Sequence, residues 1–152
     1  MTIVEATERL AHLVTRVPPV LEQIDEGQFA FKPIPDKWSK KEILGHLIDS
    51  AANNHQRFIR IQYENEPLVF YNQNKWNELS NYNSLNKSHL IHFWQCYNQH
   101  LVEIIKTIPK ENLDRNGLTK HGQKLSLHFY IIDYVDHLEH HLEHHLKQLI
   151  EY

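Results

Sequence analysis

Asp136-His-Leu-Glu-His-His-Leu-Glu-His-His-Leu146 is the stretch that sets the architecture of this chain. Its leucines recur every four residues, a period that is typical of an amphipathic α-helix with one buried face. Side chains four residues apart lie one above the other on a helix. Two imidazoles placed in this way can share a metal ion. The run holds five histidines: His137, His140, His141, His144 and His145.

Outward from this run, the chain contains four long segments of helical periodicity and no convincing strand. The second segment begins at Ser39, which forms a capping box with Glu42. The first holds Pro18-Pro19, where we expect a kink or a break. The segments span about residues 4–24, 39–63, 84–108 and 126–152.

The connections between these segments differ in kind. Residues 64–83 form a long link that is rich in asparagine and aromatic residues, and a link of that length is usually functional or hides a short helix. Residues 110–124 carry two turn signals, Asn116-Gly117 and His121-Gly122. Four helices with one long crossing connection predict an all-α four-helix bundle. We expect residues 1–152 to form one domain.

Composition excludes several classes of protein. The chain is 41% hydrophobic and 23% charged, and its formal net charge is -3 with neutral histidines, which argues against a nucleic-acid-binding surface. No apolar run approaches the roughly 18 residues of a membrane span. Cys96 is the only cysteine, so no disulfide can form within the chain, and a cytoplasmic location is expected. We expect Cys96 to be a small buried hydrophobe of the third helix.

Helical geometry separates the three i, i+4 histidine pairs of the last segment: His137/His141, His140/His144 and His141/His145. With an advance of about 100° per residue, His141 and His145 lie at the edge of the leucine stripe. His137 lies further round, and the other two point well away from the stripe. The pair best placed to reach the bundle interior is therefore His141 with His145, and the other three are expected to face solvent or to support the ligands.

A third ligand must come from another helix, and His46, on the flank of the second helix, is the candidate. Three neutral imidazoles leave coordination positions for water or substrate, and such open sites are of the catalytic type. Asp49 and Asp136 could orient the imidazoles, or they could be ordinary surface charges. The competing interpretation of the last helix is a solvated polar face. The glutamate of a His-Glu-x-x-His protease is missing, because Leu142 stands in its place.

Three stretches of the chain resemble the DinB-like superfamily of four-helix bundles. The first is Pro35-Asp-Lys-Trp-Ser-Lys-Lys-Glu-Ile-Leu-Gly-His-Leu-Ile-Asp49, followed by Arg57. The second is Phe70-Tyr-Asn-Gln-Asn-Lys-Trp76, and the third is His141-Leu-Glu-His-His-Leu-Lys-Gln-Leu149. Their order and spacing together carry the resemblance.

The resemblance implies an up-down-down-up bundle with a long crossover between helices 2 and 3, and a homodimer. It also implies a divalent metal, which three imidazoles would hold as Zn²⁺ or Ni²⁺. Carried over residue by residue, the ligands are His46, His141 and His145. The repeated His137-Leu-Glu-His140 unit leaves an ambiguity of one turn, and the tail after His145 favours the later pair.

Two functions are open at this point. The family includes enzymes that transfer low-molecular-weight thiols such as bacillithiol or mycothiol to small molecules, so the first is a metal-dependent thiol S-transferase or hydrolase acting on a small molecule. In such an enzyme, residues 64–83 would contribute walls of the substrate pocket. The alternative is a non-catalytic, stress-related metal-binding bundle in which the metal is structural or a sensor. The sequence assigns no catalytic residue beyond the ligands.

Overall fold

The computed structural model of the chain describes residues 1–144. Two short 3₁₀ turns, Tyr82–Ser84 and Lys110–Asn112, flank the fifth helix. The two strands pair antiparallel, with Gly117 opposite Leu125. The elements in chain order are α1 (Ile3–Glu22), α2 (Glu26–Ala30), α3 (Lys40–Tyr63), α4 (Gln73–Ser80), α5 (Lys87–Thr107), β1 (Asn116–Leu118), β2 (Lys124–Ser126) and α6 (Leu127–His144).

The four long helices pack in a ring around one hydrophobic core, in the order α1, α5, α3, α6. Of the long helices that follow one another in the chain, only α3 and α5 are neighbours: α1 lies diagonally across from α3, and α5 from α6. Trp94 and Phe58 are fully buried in the core between them. Burial of large apolar side chains on all four helices is the main source of the bundle's stability.

Contacts at the helix ends fix the helix directions. Lys87 at the start of α5 donates to the carbonyl of Glu22 at the end of α1 at 3.0 Å, so these two helices run antiparallel. Lys41 at the start of α3 donates to the carbonyl of Leu85, just before α5, at 2.7 Å, so α3 and α5 run parallel. The start of α3 also meets the end of α6. The predicted up-down-down-up bundle is confirmed.

The first helix continues through its two prolines instead of breaking there. Pro18 has no N–H to donate to the carbonyl of Val14 one turn back. Gln95 of α5 takes over this role, because its side-chain amide donates to the Val14 carbonyl oxygen at 3.1 Å. A neighbouring helix thus satisfies the acceptor that the proline leaves open.

Two connecting segments contain more structure than the periodicity indicated. The long link after α3 holds α4, one of the two outcomes expected for it. The turn-rich segment after α5 forms the β1–β2 hairpin, so the expectation of no strand was wrong. Strands of three residues are too short to produce a readable alternation. Gly117 is needed there, since a Cβ at this position would lie 2.9 Å from Ile61 Cδ1.

The expectation for Cys96 was also wrong, because its side chain is exposed. The buried positions around it on α5 belong to Trp94 and Asn98. No helix within residues 1–144 combines the length and the apolar character needed to cross a lipid bilayer.

Candidate metal centre

A capping box and an ion pair fix the start of α3, whose N-cap Ser39 lies seven residues before His46. The Ser39 N–H donates to Glu42 Oε1, and the Glu42 N–H donates to Ser39 Oγ, each at 3.0 Å. This reciprocal pair satisfies two backbone donors that the first turn of a helix leaves open. Lys41, only 1% exposed, forms a further anchor through its ion pair with Glu26 of α2. The predicted capping box is confirmed.

Three histidine rings from two antiparallel helices meet close to this anchored end. His46 comes from α3, and His137 and His141 come from successive turns of α6. His46 Nε2 lies 3.4 Å from His137 Nε2, and His137 Nε2 lies 3.1 Å from His141 Nε2. All three nitrogen donors lie within 4.8 Å of one another. In the described part of the chain, no other group of three such donors is this close.

These separations fit a shared metal ion. Two imidazole nitrogens bound tetrahedrally to Zn²⁺ at about 2.0–2.1 Å are about 3.3 Å apart. The two nitrogen pairs that include His137 bracket this value. Three neutral imidazoles form a common ligand set for Zn²⁺ that leaves one position open. The donor set and its spacing therefore suit an open divalent metal site.

The surroundings of the cluster favour the neutral, ligating form of imidazole. His46 is only 1% exposed, and the Trp38 ring packs against it with centroids 5.0 Å apart. Burial lowers the pKa of His137, and the nearby His140 adds to this effect while Asp133 opposes it. A neutral imidazole presents a lone pair to a cation without first losing a proton, so less free energy is lost on binding.

One member of the cluster, His141, lines a cavity of about 430 Å³. Gln73 and Asn74 at the start of α4 line the same cavity. Trp38 and Lys37 also line it, and both line a second cavity of about 630 Å³ as well. The long link between α3 and α5 thus contributes pocket walls.

Asp49, one turn after His46, is held by a tyrosine from the crossover. The Tyr82 hydroxyl donates a hydrogen bond to Asp49 Oδ1 at 2.5 Å. The Tyr82 ring packs directly against Gly45, and a Cβ at position 45 would lie only 2.1 Å from it. Asp49 is 3% exposed. Burial raises the pKa of its carboxyl group, the hydrogen bond from Tyr82 partly offsets this rise, and the resulting pKa is about 6. Its Oδ2 atom has no hydrogen-bond partner within residues 1–144.

A family model that describes the DinB superfamily matches residues 7–149. The chain belongs to the DinB superfamily. No curated protein matches it at a comparable level of significance.

Two solved structures show the same fold. One is YfiT from Bacillus subtilis, described as a probable metal-dependent hydrolase with an unusual four-helix bundle topology. It superposes with a TM-score of 0.86 at 19% identity, over 97% of this chain and 85% of YfiT. The other is a mycothiol-dependent maleylpyruvate isomerase, with a TM-score of 0.76 at 12% identity. That match covers 93% of this chain and 59% of the isomerase, so the isomerase is a longer protein.

The structure brings together two of the three histidines named from the sequence, His46 and His141, and adds His137. The helical angles had placed His137 away from the bundle interior. However, α3 packs against the flank of α6, so the angle from the leucine stripe does not measure the distance to His46. His145 lies outside the described residues, and its role as a ligand stays a prediction.

The structure also describes the other residues that the sequence offered as ligands or supporting groups. His140 and His144 are exposed, as the helical geometry indicated. Asp136 is exposed and forms an ion pair with Arg9 of α1 at 3.3 Å, so it is a surface charge and does not support a ligand. Tyr82 was missed, because no pattern connects a residue of the crossover to a carboxylate on α3.

Proposed function

We propose that this protein is a metal-dependent enzyme that acts on a small molecule. The observation that carries the proposal is the cluster of His46, His137 and His141, of which His141 lines a cavity of about 430 Å³. An open set of three imidazoles is characteristic of catalytic sites, whereas structural sites are usually closed by a fourth protein ligand. A chain of this size does not need a metal ion to build its core.

Each residue of the site has a role that follows from its position. The imidazoles of His46 and His141 bind the metal, and a third imidazole from α6 completes the set. A divalent metal held there, Zn²⁺ or Ni²⁺, supplies Lewis acidity and stabilises the anionic form of a thiol or of water. The Trp38 ring covers His46 and keeps bulk solvent from that side.

The third ligand is proposed to be His137, because its nitrogen lies at a metal-sharing distance from both other imidazoles. The alternative is His145, which the family resemblance favours. Eight residues separate the two candidates in the sequence, a spacing that corresponds to about 12 Å along a helix. One ion on His46 and His141 is therefore expected to use only one of them.

The cavity supports a polar substrate group beside an apolar wall. The exposed side chains of Asp36 and Lys37 both line it, so its charged groups are of both signs. The amides of Gln73 and Asn74 add hydrogen-bonding groups, and Trp38 adds an aromatic surface. Thiol S-transfer and hydrolysis are the two reactions proposed. The isomerase is described as mycothiol-dependent and YfiT as a probable metal-dependent hydrolase, which supports a thiol or water as the nucleophile.

The first test is elemental analysis of the protein purified without a histidine tag. We expect about one equivalent of metal per chain, lost in His46→Ala and His141→Ala. The matched control is His140→Ala, which removes an exposed imidazole from the same helix and should leave the metal content unchanged. Absence of metal after incubation with Zn²⁺ and Ni²⁺, or metal that survives both ligand substitutions, would contradict the proposal.

The second test separates an enzyme from a non-catalytic bundle. The metal-loaded protein and the metal-stripped protein are assayed side by side for thiol transfer to electrophiles and for hydrolysis of small amides and esters. We expect activity only in the loaded form, with a circular dichroism spectrum that is unchanged on stripping. A loaded protein without either activity whose melting temperature falls strongly on stripping would favour a structural metal.

We further propose that the chain is a cytoplasmic homodimer formed from one domain, residues 1–152. The support is the family resemblance and a family match that extends over residues 7–149. Sedimentation equilibrium measures the assembly directly, and a mass equal to one chain of 18.2 kDa would contradict the dimer.

A further inference from the structure

The outward face of α5 carries no formal charge over most of its length. Residues 88–102 contain no Asp, Glu, Lys or Arg, although these four types make up 23% of the chain. The helix packs between α1 and α3, and six exposed side chains of this stretch fall within an arc of about 120°. We call this surface the α5 outer face, and it comprises His89, His92, Phe93, Cys96, Gln99 and His100.

The α5 outer face is also aromatic. Phe93 is 46% exposed, and its ring centroid lies 6.5 Å from that of His89 and 5.7 Å from that of Tyr97. Tyr97 connects the face to α3, because its hydroxyl lies 2.7 Å from His55 Nδ1. Aromatic groups in a region depleted of charge, with charged groups at the rim, are the composition of the core of a protein–protein interface.

Charged side chains return at both ends of this face, at equal distances from its middle. Lys87 precedes the uncharged stretch and Glu103 follows it, and the midpoint between them falls one residue from Cys96. Each end also carries the opposite sign: Lys87 adjoins Glu22, and Glu103 pairs with Lys106 at 3.4 Å. If two copies pack antiparallel along α5, Lys87 of one copy lies opposite Glu103 of the other at both ends.

A second copy of the chain is the partner that this charge pattern fits. A two-fold interface brings one surface against itself, so a face with a net charge would repel its own copy. The α5 outer face has no charge between its ends, and its neutral imidazoles and the Gln99 amide each offer both a donor and an acceptor. A nucleic acid, an anionic membrane or a charged peptide would need an excess of the opposite charge, which this face does not have.

The size of the face suits a reversible dimer. From Lys87 to Glu103 a helix rises about 24 Å, and α5 with the adjoining flank of α3 is about 20 Å wide. Two such faces would bury about 1,000 Å² in total, close to the lower limit for a specific interface. We therefore expect the dimer to dissociate into single chains as the protein is diluted.

We propose that two copies of the chain associate through their α5 outer faces, antiparallel about a two-fold axis close to Cys96. This inference rests on the homodimer proposed above and assigns the surface that forms it. The bundle cluster lies on α3 and α6, and none of the residues that line the two cavities belongs to α5. Each copy therefore keeps its own metal centre.

Phe93→Glu tests the face, because it places a carboxylate where the partner copy offers only uncharged groups. We expect sedimentation equilibrium to give a mass of two chains for the native protein and of one chain, 18.2 kDa, for Phe93→Glu at the same concentration. The matched control is Phe129→Glu, which alters a 43% exposed phenylalanine of α6 and should remain dimeric. Circular dichroism checks that both variants are folded.

Cys96 provides a second readout that needs no variant, since it is the only cysteine of the chain. Close to a two-fold axis, the two thiols of a dimer lie within reach of a short bismaleimide. Each thiol adds across one maleimide double bond: the S–H bond breaks, a carbon–sulfur bond forms, and the hydrogen passes to the neighbouring carbon. We expect cross-linked dimers from the native protein and from Phe129→Glu, and only the collisional background from Phe93→Glu, which keeps the cysteine.

The possible failures are distinguishable. A native mass of one chain at every concentration would contradict the homodimer and this face together. A dimer that Phe93→Glu leaves intact, or a native dimer that the bismaleimide does not cross-link, would overturn the α5 outer face and leave the homodimer standing. The metal centre is judged separately, by the metal content of His46→Ala and His141→Ala.

Discussion

The bundle cluster (His46, His137 and His141) and the exposed pair of α5, His92 and Cys96, contain the same element, two metal-binding side chains four residues apart on one helix. They differ in what the neighbouring helix contributes. On α6 the pair faces His46, which is 1% exposed, so three donors converge in a water-poor interior. On α5 the pair is exposed, and within residues 1–144 no third donor atom lies within 4.8 Å of both its members. Spacing along a helix therefore creates a pair, and packing decides what kind of site the pair becomes.

The largest expected effect tests which turn of α6 completes the buried cluster. We expect His137→Ala to lower Zn²⁺ affinity by about 100-fold or more, because a direct ligand should cost at least as much as the 10–100-fold typical of outer partners. His145→Ala should leave the affinity within a few-fold of the native value. Competition titration with a chromophoric chelator measures both.

The reverse result would show that the family resemblance assigns the third ligand correctly, four residues after His141. Equal losses in His137→Ala and His145→Ala would contradict a set of three ligands that includes only one of them.

The next effect concerns the buried carboxyl group beside the cluster. Burial raises the pKa of Asp49 from 3.8 to about 6. Between these values the folded chain binds more protons at Asp49 than the unfolded chain does, so stability falls as the pH rises through this window. Asp49→Asn removes the titration. In metal-stripped protein it should match the native stability near pH 4 and exceed it by about 3 kcal/mol above pH 6.

Urea unfolding across this pH range measures the difference for Asp49→Asn. Asp114→Asn, at an exposed acidic position, is the matched control and should show no such divergence. A constant difference between Asp49→Asn and the native protein from pH 4 to 7 would mean that the carboxyl group does not titrate in this window.

A smaller effect tests the hydrogen bond from the crossover. Tyr82→Phe keeps the ring that packs on Gly45 but removes the donor to Asp49, which should cost about 1–3 kcal/mol above pH 6. The same change should raise the Asp49 pKa further, since this hydrogen bond lowers it. The window of falling stability should therefore extend to higher pH, while its lower end near the unfolded pKa stays in place. Tyr63→Phe, at a 69% exposed position of α3, should change neither quantity.

The smallest effect is expected for the exposed pair of α5, His92 and Cys96. In metal-stripped protein, His92→Gln and Cys96→Ser should alter the free energy of unfolding by no more than about 0.5 kcal/mol, as is usual for exposed positions. Chemical denaturation measures this directly. A loss of more than about 2 kcal/mol in either variant would mean that these side chains contribute to packing, and the contrast between the buried and exposed clusters would not hold.

Much of the fold could be predicted because its signals are local. The leucine stripe of α6 and the Ser39–Glu42 capping box each lie within a few turns of one helix. The β1–β2 hairpin could not be predicted, since its strands have three residues each. The continuation of α1 through Pro18 could not be predicted either, because it depends on Gln95, which is 77 positions further along the chain and bonds Val14.

The candidate site divides in the same way. The sequence by itself determined that α6 carries histidines in i, i+4 register and that His46 lies near the start of α3, because helical periodicity and capping are properties of neighbouring residues. Only the tertiary structure decided that His137 meets His46, that Tyr82 holds Asp49, and that Cys96 faces solvent. Each of these depends on which flank of a helix a distant segment packs against, and that is set by the joint packing of four helices around one core.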